Sequence, residues 1–411
     1  MIWLVSSFLF FLFSNKNFIF FNSTIYLDSL NYSLLFLSLC VLFMSYEMLF
    51  HSTEFFSIWK SYLLIFFLIF FMMMVFMSTS LVKFLIFLEM SMMPILYLIM
   101  VYSKMKDKIS SVWLMFLFNI LGSTPFMVMI LMSSIYFIES LNNFSLYIFF
   151  EDSIVMFSLF LPLLCFKLPI FLSHFWLTKA HVSAAGFCSM ILASLSLKLG
   201  SFGFLKFIYM FKISSMKFLV WSMSWSLMGF IAFTFFMIRY IDVKYYVAVS
   251  SLLHMSFVVP SCMSNKSLGC FGSLLMLISH GLISPLFFFL ITIFYENINN
   301  RSLESNKALE SLSKFLSMIL IFCLLLNLGI PPFMMFFSEL EMLKFFFSFS
   351  KFCILIFLMM MLLNMIHFMF FCSKSIYGKK SSMVCEDFFF CQILVNFYYF
   401  LLSLILMLFL F

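Results

Sequence analysis

Long apolar runs separated by short polar connections make up almost the whole chain. Each run has about the 20 apolar residues that a helix needs to cross the hydrocarbon core of a bilayer. The runs lack the alternation of strands and are longer than the strands of a membrane β-barrel, so we expect helices. Thirteen or fourteen are predicted, because Asn15-Lys16-Asn17 interrupts the first run. The runs lie near residues 2–22, 26–45, 58–77, 80–102, 111–136, 154–177, 184–205, 217–238, 244–262, 267–295, 313–330, 331–349, 351–372 and 388–411.

The composition of the chain cannot supply a water-facing surface. Of its 411 residues, 65% are hydrophobic and only 9% are charged, whereas a soluble domain carries roughly 25% charged residues. A soluble enzyme, a secreted disulfide scaffold and a disordered tail are therefore excluded. The predicted fold class is an all-α, polytopic membrane protein.

The net charge of +7 and the ten cysteines point to topology and packing rather than to ligands. The bases lie mostly in short loops, as Lys104, Lys106 and Lys108 do, and we interpret them as topology signals rather than nucleic-acid contacts. Loop charges do not alternate cleanly, so they predict no orientation. The cysteines form no Cys-x-x-Cys pair and lie mostly inside apolar runs, which is typical of small buried residues rather than disulfides or metal ligands.

Two proline sites predict broken or kinked helices. Pro169 lies inside the run 154–177, and Pro331-Pro332 falls where two apolar runs meet. Proline removes a backbone donor and clashes with the preceding turn. Within a membrane such breaks are tolerated where they line protein or water, and transporters place ion sites there.

Four ionisable residues lie far from the ends of the apolar runs. They are Glu89, Lys167, Lys198 and Glu339. Each costs about 2.5–3.5 kcal/mol at a helix centre, so we expect them to be functional. Lys83 is six residues from Glu89, off the helical contact positions, and we predict Lys167 as the partner of Glu89. Pairing favours the charged forms and burial the neutral forms, so such a pair can exchange protons when a neighbouring charge moves.

Histidines extend this set of candidate residues. Lys167, His174 and His181 are spaced by seven, which predicts one shared helix face. His254 and His280 each have a serine one turn away, and such faces can hold ordered water inside a bundle.

Simpler interpretations stay open for the same residues. Any single histidine can serve as an interhelical hydrogen-bonding residue, and Lys198 can snorkel toward an interface. We interpret Glu341 and Lys344, three residues apart, as a pair at a helix end. The sequence contains no Gly-x-Gly-x-x-Gly motif, P-loop or metal-ligand cluster.

The stretch KLPIFLSHFWLTKAHVSAAGFCSMILASLSLKLGSFGFL at 167–205 resembles the signature helix pair of one membrane-protein family. This is the chain 4 family of NADH-ubiquinone oxidoreductase, the antiporter-like membrane subunits of respiratory complex I. The run Trp176–Val182 is similar to chain 4 rather than to its paralogues, chains 2 and 5. The resemblance covers roughly residues 60–370. Supporting segments are FLEMSMMPILYLIMVY (87–102), DVKYYVAVSSLLHMSF (242–257), ISHGLISPLFF (278–288) and NLGIPPFMMFFSELEML (327–343).

The resemblance implies proton translocation coupled to electron transfer from NADH to ubiquinone. The resemblance also implies an architecture of two inverted repeats, each with one broken helix. The residues that match the family's functional positions are Glu89, Lys167, Lys198, Glu339, His174, His254 and His280. It also implies that NAD, flavin, iron–sulfur clusters and ubiquinone are bound by other subunits, so no cofactor or metal is expected on this chain. The expected partners are neighbouring membrane subunits, including other antiporter-like chains, and lipid, but no nucleic acid.

The resemblance further implies a location and a division of the chain. We expect a multi-pass protein of the mitochondrial inner membrane, and the 68 Phe and 37 Met residues agree with a mitochondrial gene and code. Residues 1–60 are predicted as divergent or shortened N-terminal helices. A first half follows at 61–215 and a second at 216–372, and a C-terminal loop and helix occupy 373–411.

The chain departs from the family pattern at one loop. The family usually has Pro-Lys-Ala-His-Val-Glu-Ala-Pro where this chain has Thr178-Lys-Ala-His-Val-Ser-Ala-Ala185. Thr178 and Ala185 replace the two prolines and Ser183 replaces the glutamate, so we expect a less rigid loop and a less compensated Lys179. Three alternatives to the chain 4 function stay open. They are an independent cation/proton antiporter, a paralogous complex I chain, and a structural subunit that no longer moves protons.

Overall fold

The structure, a computed structural model, consists of helices connected by short turns. It describes residues 29–52, 55–78, 80–103, 105–136, 153–168, 170–211, 216–239, 242–263, 267–298, 302, 314–331, 333–349 and 351–376. The helices up to residue 215 are α1 Ser29–Ser52, α2 Phe55–Met77, α3 Leu81–Tyr102, α4 Lys108–Tyr136, α5 Ser153–Lys167, α6 Phe175–Ser183, α7 Gly186–Ile191 and α8 Leu197–Phe211. The helices after residue 215 are α9 Met216–Arg239, α10 Val243–Ser256, α11 Val258–Met263, α12 Ser267–Ile298, α13 Lys314–Asn327, α14 Met334–Phe349 and α15 Lys351–Ile376.

The predicted all-α membrane class is confirmed. Within the described ranges, nine helical segments are long and apolar enough to cross a membrane. In lipid, a helix satisfies its own backbone polar groups, which is why uninterrupted apolar runs become helices here. The predicted runs near 2–22 and 388–411, and the whole segment 373–411 apart from the end of α15, lie outside the described residues.

The break predicted near Pro169 is confirmed, although Pro169 itself lies outside the described residues. Helix α5 ends at Lys167, and α6 begins at Phe175. Side chains of the intervening turn and of the first turn of α6 satisfy carbonyls near the end of α5. Ser173 Oγ donates to Cys165 O at 2.6 Å, and Trp176 Nε1 donates to Phe166 O at 2.9 Å. These bonds take the place of the missing helical partners.

This break makes one prediction wrong. Lys167, His174 and His181 do not share a helix face, because Lys167 ends α5, His174 precedes α6 and only His181 lies within α6. Seven-residue spacing places side chains on one face only while the helix is continuous. The turn between Lys167 and Phe175 interrupts the helix and removes that relation.

A second break separates α13 from α14, where Pro331 and Pro332 predict it; Pro332 lies outside the described residues. The turn after α13 begins with Leu328 N donating to Leu324 O at 3.0 Å. Gly329 then adopts a φ of +63°, which is the left-handed region that glycine enters without a side-chain penalty.

Two further interruptions were not predicted from the sequence. The run 184–205 contains a π-helical turn at Leu192–Ser196 between α7 and α8. The run 244–262 is interrupted at Phe257, between α10 and α11. Serine hydroxyls bond to backbone carbonyls within the π turn, since Ser196 Oγ donates to Leu192 O at 2.6 Å. Such local bonds compete with the regular helical ladder.

Inner and outer helices differ in what they expose. The spans formed by α7–α8, α10–α11 and α12 are buried along all or nearly all of their length. Helices α2, α4 and α15 expose large apolar side chains on one face, such as Trp59, Phe70, Trp113 and Ile366. Because lipid is as apolar as these side chains, this arrangement places the inner helices, with their charges, away from the bilayer.

Candidate functional site

Lys198 is held at the centre of the inner helices. Its side chain is fully buried on α8. The Nζ atom donates to Ala193 O at 2.8 Å and lies 2.9 Å from Nδ1 of His280 on α12. Ala193 belongs to the π turn, so the interrupted ladder provides a carbonyl for the buried amine. Buried ammonium groups are tolerated when they have such partners, and this contact argues against snorkelling.

The row of polar side chains continues from His280 through the second half. The rings of His280 and His254 are 6.0 Å apart between centroids. His254 Nδ1 lies 3.8 Å from Oε1 of Glu339 on α14. Lys198, His280, His254 and Glu339 therefore form one row through α8, α12, α10 and α14. We call these four residues the second-half row, because three of them lie on helices of the second half and Lys198, on α8 of the first half, stands at its start.

Glu339 is positioned by the broken helix. Its carboxyl group packs against Gly329 so closely that a Cβ at residue 329 would overlap Glu339 Oε2. The left-handed φ of Gly329 and this close approach both require a residue without a side chain. The break between α13 and α14 therefore creates the space that the carboxylate of Glu339 occupies.

The first half contains a looser arrangement around Glu89. Glu89 Oε2 accepts a hydrogen bond of 2.8 Å from Asn119 Nδ2 on α4. Lys167 is buried, and its Nζ has no hydrogen-bond partner among the described residues. Within the described ranges Glu89 forms no direct ion pair with Lys167, and Asn119 is its hydrogen-bonding neighbour. We call Glu89, Asn119 and Lys167 the first-half cluster.

A small cavity joins Asn119 to Lys167. Its volume is about 10 Å³, which is near the space that one water molecule needs. Both side chains line it, together with the indole of Trp176. The remaining lining residues are Met92, Met115, Phe118, Gly122, Leu163 and Phe166.

Lys167 packs against the helix that carries Lys198. The stem of Lys167 lies on Gly200, where an added Cβ would lie 2.9 Å from Lys167 Cβ. Small residues allow close approach of membrane helices. Gly200 is two residues from Lys198 on α8, and residues two apart on a helix do not face the same side. The first-half cluster and the second-half row therefore contact α8 on different faces.

Two histidines are not connected to these groups by hydrogen bonds. His174 lies among Phe171, Phe175, Phe233 and Phe236, with ring centroids 4.2–6.2 Å away, and its Nδ1 has no hydrogen-bond partner in the described part of the chain. His181 stacks on Phe288 at 4.7 Å, and neither of its ring nitrogens has such a partner there.

The sequence analysis missed Asn119 and Lys244. Asn119 carries an amide in an otherwise apolar stretch, and this isolated polar side chain could have marked it as a candidate site residue. Lys244 stands near the start of α10 and resembles a loop charge in sequence. It is buried in the structure, and its Nζ donates to Ala184 O at 3.1 Å. This bond satisfies a carbonyl at the end of α6.

The loop that departs from the family pattern is held by other contacts. Ser183 Oγ donates to Ser111 Oγ at 2.7 Å in a buried bond between α6 and α4. Lys244 holds Ala184 from the opposite side. Lys179 is exposed, so solvent or headgroups compensate its charge. Among the described residues, no group of three His, Cys, Asp or Glu side chains could hold a metal ion.

The helices and the buried charges define the class of the protein, an antiporter-like polytopic membrane protein. Residues 78–365 match the family model described as NADH:quinone oxidoreductase/Mrp antiporter, transmembrane. NADH-ubiquinone oxidoreductase chain 4 of Locusta migratoria is 32% identical over 315 residues, which are 75% of this chain and 69% of that relative. The Myxine glutinosa chain 4 is 33% identical over 68% of this chain and 61% of its own. The chain therefore belongs to this family, within the group of NADH-ubiquinone oxidoreductase chain 4.

Solved structures show the same fold. A chain of respiratory complex I from Thermus thermophilus superimposes with a TM-score of 0.86 at 16% identity, covering 97% of this chain and 88% of its own. A chain of the Mrp complex from Dietzia sp. DQ12-45-1b gives a TM-score of 0.77 at 15% identity, covering 87% and 68%. The predicted family and the antiporter-like fold are confirmed.

Proposed function

We propose that this chain is a membrane-arm subunit of respiratory complex I that takes part in proton translocation. The process is coupled to electron transfer from NADH to ubiquinone. The observation that carries the proposal is the second-half row, in which Lys198 contacts His280 and His254 approaches Glu339. A chain of ionisable groups inside apolar helices is typical of proton relays.

The distances suggest how protons would move along this row. Lys198 Nζ lies at hydrogen-bond distance from His280 Nδ1, so a proton can pass from the ammonium group to the imidazole. The 6.0 Å between the two imidazole centroids and the 3.8 Å between His254 and Glu339 suit transfer through reorientation or an intervening water. Lysine suits the first position because burial shifts its protonation readily, whereas arginine stays charged.

The first-half cluster would control the row. A charge moving in a neighbouring subunit would change the attraction between Glu89 and Lys167. Lys167 packs on Gly200 of α8, the helix that carries Lys198, so its charge state would act on Lys198 across this helix, where like charges disfavour each other. A proton would then pass toward Glu339.

Cofactors, partners and location follow as parts of the proposal. We expect no redox cofactor on this chain; NAD, flavin, iron–sulfur clusters and ubiquinone would be bound by other subunits. The partners would be neighbouring membrane subunits, among them antiporter-like chains, as the multi-subunit assemblies of the similar structures suggest. The 68 Phe and 37 Met residues support a mitochondrial gene and the mitochondrial inner membrane, which locating the gene would test.

The deciding experiment removes single charges from the assembled, NADH-oxidising complex in sealed vesicles. We expect Lys167→Ala and Glu339→Gln to lower the number of protons moved per electron. Matched controls are Lys179→Ala, which removes an exposed lysine, and Glu341→Gln, which lies two residues from Glu339 and pairs with Lys344 at 2.6 Å. Unchanged proton stoichiometry in both test variants would refute the proposal.

A second candidate function is an independent cation/proton antiporter, which the likeness to the Mrp complex favours. It predicts exchange of sodium for protons across vesicles without electron transfer. We expect no such exchange from this chain. Sodium-dependent proton movement in the absence of NADH, lost in Glu339→Gln, would replace our proposal with this one.

A further inference from the structure

Asn119 bonds to one charged residue of the first-half cluster, Glu89, and shares a cavity with the other, Lys167. Its amide nitrogen donates to Glu89 Oε2 at 2.8 Å. Its carbonyl oxygen, Oδ1, is buried without a hydrogen-bond partner among the described residues. An amide offers a donor at one end and an acceptor at the other, so Asn119 can serve a carboxylate and an ammonium group at once.

The cavity beside Asn119 has room for this second contact. Asn119 and Lys167 both line it, and most of the other lining side chains are apolar. Trp176 is the remaining lining residue with a polar side-chain atom, and its Nε1 already donates to Phe166 O. A water molecule needs polar partners to occupy a buried volume. Here it would donate to Asn119 Oδ1 and accept from Lys167 Nζ.

We propose that Asn119 is a positioning residue that holds Glu89 and Lys167 in a bridged arrangement, with its amide on the carboxylate and one water between its carbonyl and the ammonium group. This inference rests on the proposed function. The bridge keeps the two charges from closing into a direct ion pair. Attraction between charges falls with distance, so the bridged pair responds to a neighbouring charge more readily than a closed pair would.

The test compares Asn119→Thr with Asn119→Val in the assembled, NADH-oxidising complex. The two side chains have nearly the same shape, but only threonine has a hydroxyl group to replace the amide. We expect Asn119→Val to slow proton-coupled NADH oxidation about tenfold, which corresponds to about 1.4 kcal/mol. We expect Asn119→Thr to keep most of the activity. Equal activity of the two variants would overturn the inference.

A spectroscopic readout separates positioning from packing. The Glu89 carboxyl band in NADH-induced infrared difference spectra would be identified by its loss in Glu89→Gln. We expect this band to shift in Asn119→Val and to stay unchanged in Ser111→Ala, which loses a buried hydrogen bond of the same helix. An unshifted band in Asn119→Val would contradict the inference. If Asn119→Val does not assemble, Asn119→Ser against Asn119→Ala gives the same comparison.

A double variant distinguishes this inference from the proposed function. If Asn119 acts through Glu89, adding Asn119→Val to Glu89→Gln should cause little further loss of protons per electron. A full additional loss would overturn the positioning role, even if Lys167→Ala confirmed proton translocation. Unchanged stoichiometry in both Lys167→Ala and Glu339→Gln would instead refute the proposed function itself.

Discussion

The first-half cluster and the second-half row use the same residue chemistry in two different arrangements. In the second-half row, Lys198 and His280 are in direct contact, and Glu339 lies within 4 Å of His254. In the first half, a neutral amide rather than Lys167 bonds to Glu89. Glu89 is only half-buried, and its neighbours Met90 and Met93 are exposed on the outer face of α3. The first-half cluster therefore suits a response to a charge outside this chain, and the second-half row suits proton transfer through the interior.

The broken helices show why the two regions differ. In the first half, Ser173 and Trp176 satisfy the carbonyls of α5 just before Lys167, so the lysine is left to face the cavity. In the second half, the break provides Gly329, against which the carboxylate of Glu339 packs. The break after α5 therefore leaves Lys167 without a hydrogen-bond partner among the described residues. The break between α13 and α14 places Glu339 beside His254.

The largest effect is expected from breaking the second-half row at His280. His280→Leu leaves the buried amine of Lys198 without its imidazole partner, and removing one member of a buried charged contact costs about 3–5 kcal/mol. We expect a lower thermal stability of the assembled complex and loss of proton translocation. The asparagine in His280→Asn can accept a hydrogen bond from Lys198 but cannot take up and release a proton. This variant should therefore have near-normal thermal stability but no proton translocation. Recovery of both would show that His280 is only structural.

The next effect concerns the backbone that positions Glu339. Gly329→Ala forces a left-handed alanine, at about 1–2 kcal/mol, and displaces the carboxylate from its place beside residue 329. We expect fewer protons per electron than in Gly229→Ala, a control at a helical glycine of α9 whose Cβ would meet Phe171 at 3.2 Å. The same loss from Gly329→Ala in a Glu339→Gln background would contradict a role through Glu339.

A smaller effect is expected at the contact between α10 and the end of α6. Lys244→Met removes the donor for Ala184 O, and an unsatisfied buried carbonyl costs about 1–3 kcal/mol. Thermal unfolding of the assembled complex should occur at a lower temperature than in Lys179→Met, which changes an exposed lysine. Equal unfolding temperatures would mean that the bond to Ala184 contributes nothing.

The smallest effect is expected at the loop that departs from the family. Ser183→Ala removes the hydroxyl that donates to Ser111, and one neutral hydrogen bond contributes about 1 kcal/mol. We expect a small decrease in thermal stability and unchanged protons per electron. A large change in proton stoichiometry would place this loop in the translocation machinery instead.

Much of the fold was predictable because the bilayer imposes simple constraints. The apolar runs have the length of spans, and the breaks near Pro169 and Pro331 follow from the missing amide hydrogen of proline. The π turn at Leu192–Ser196 was not predictable, since its sequence is as apolar as the rest of its run. The shared face of Lys167, His174 and His181 was wrong for a related reason. Seven-residue periodicity assumes a continuous helix, whereas Pro169 stands between Lys167 and His174 and predicts an interrupted one.

The sequence by itself determined that this is a polytopic helical membrane protein, that four of its charges lie inside apolar runs, and to which family it is similar. Those conclusions depend on composition, run length and local motifs, which need no knowledge of how helices pack. Only the tertiary structure decided that Asn119 lies beside Glu89, that Lys244 holds the end of α6, and that Lys198 reaches Glu339 through His280 and His254. The closest of these contacts join residues 30–85 positions apart in the chain, and helix packing, not local sequence, sets their distances.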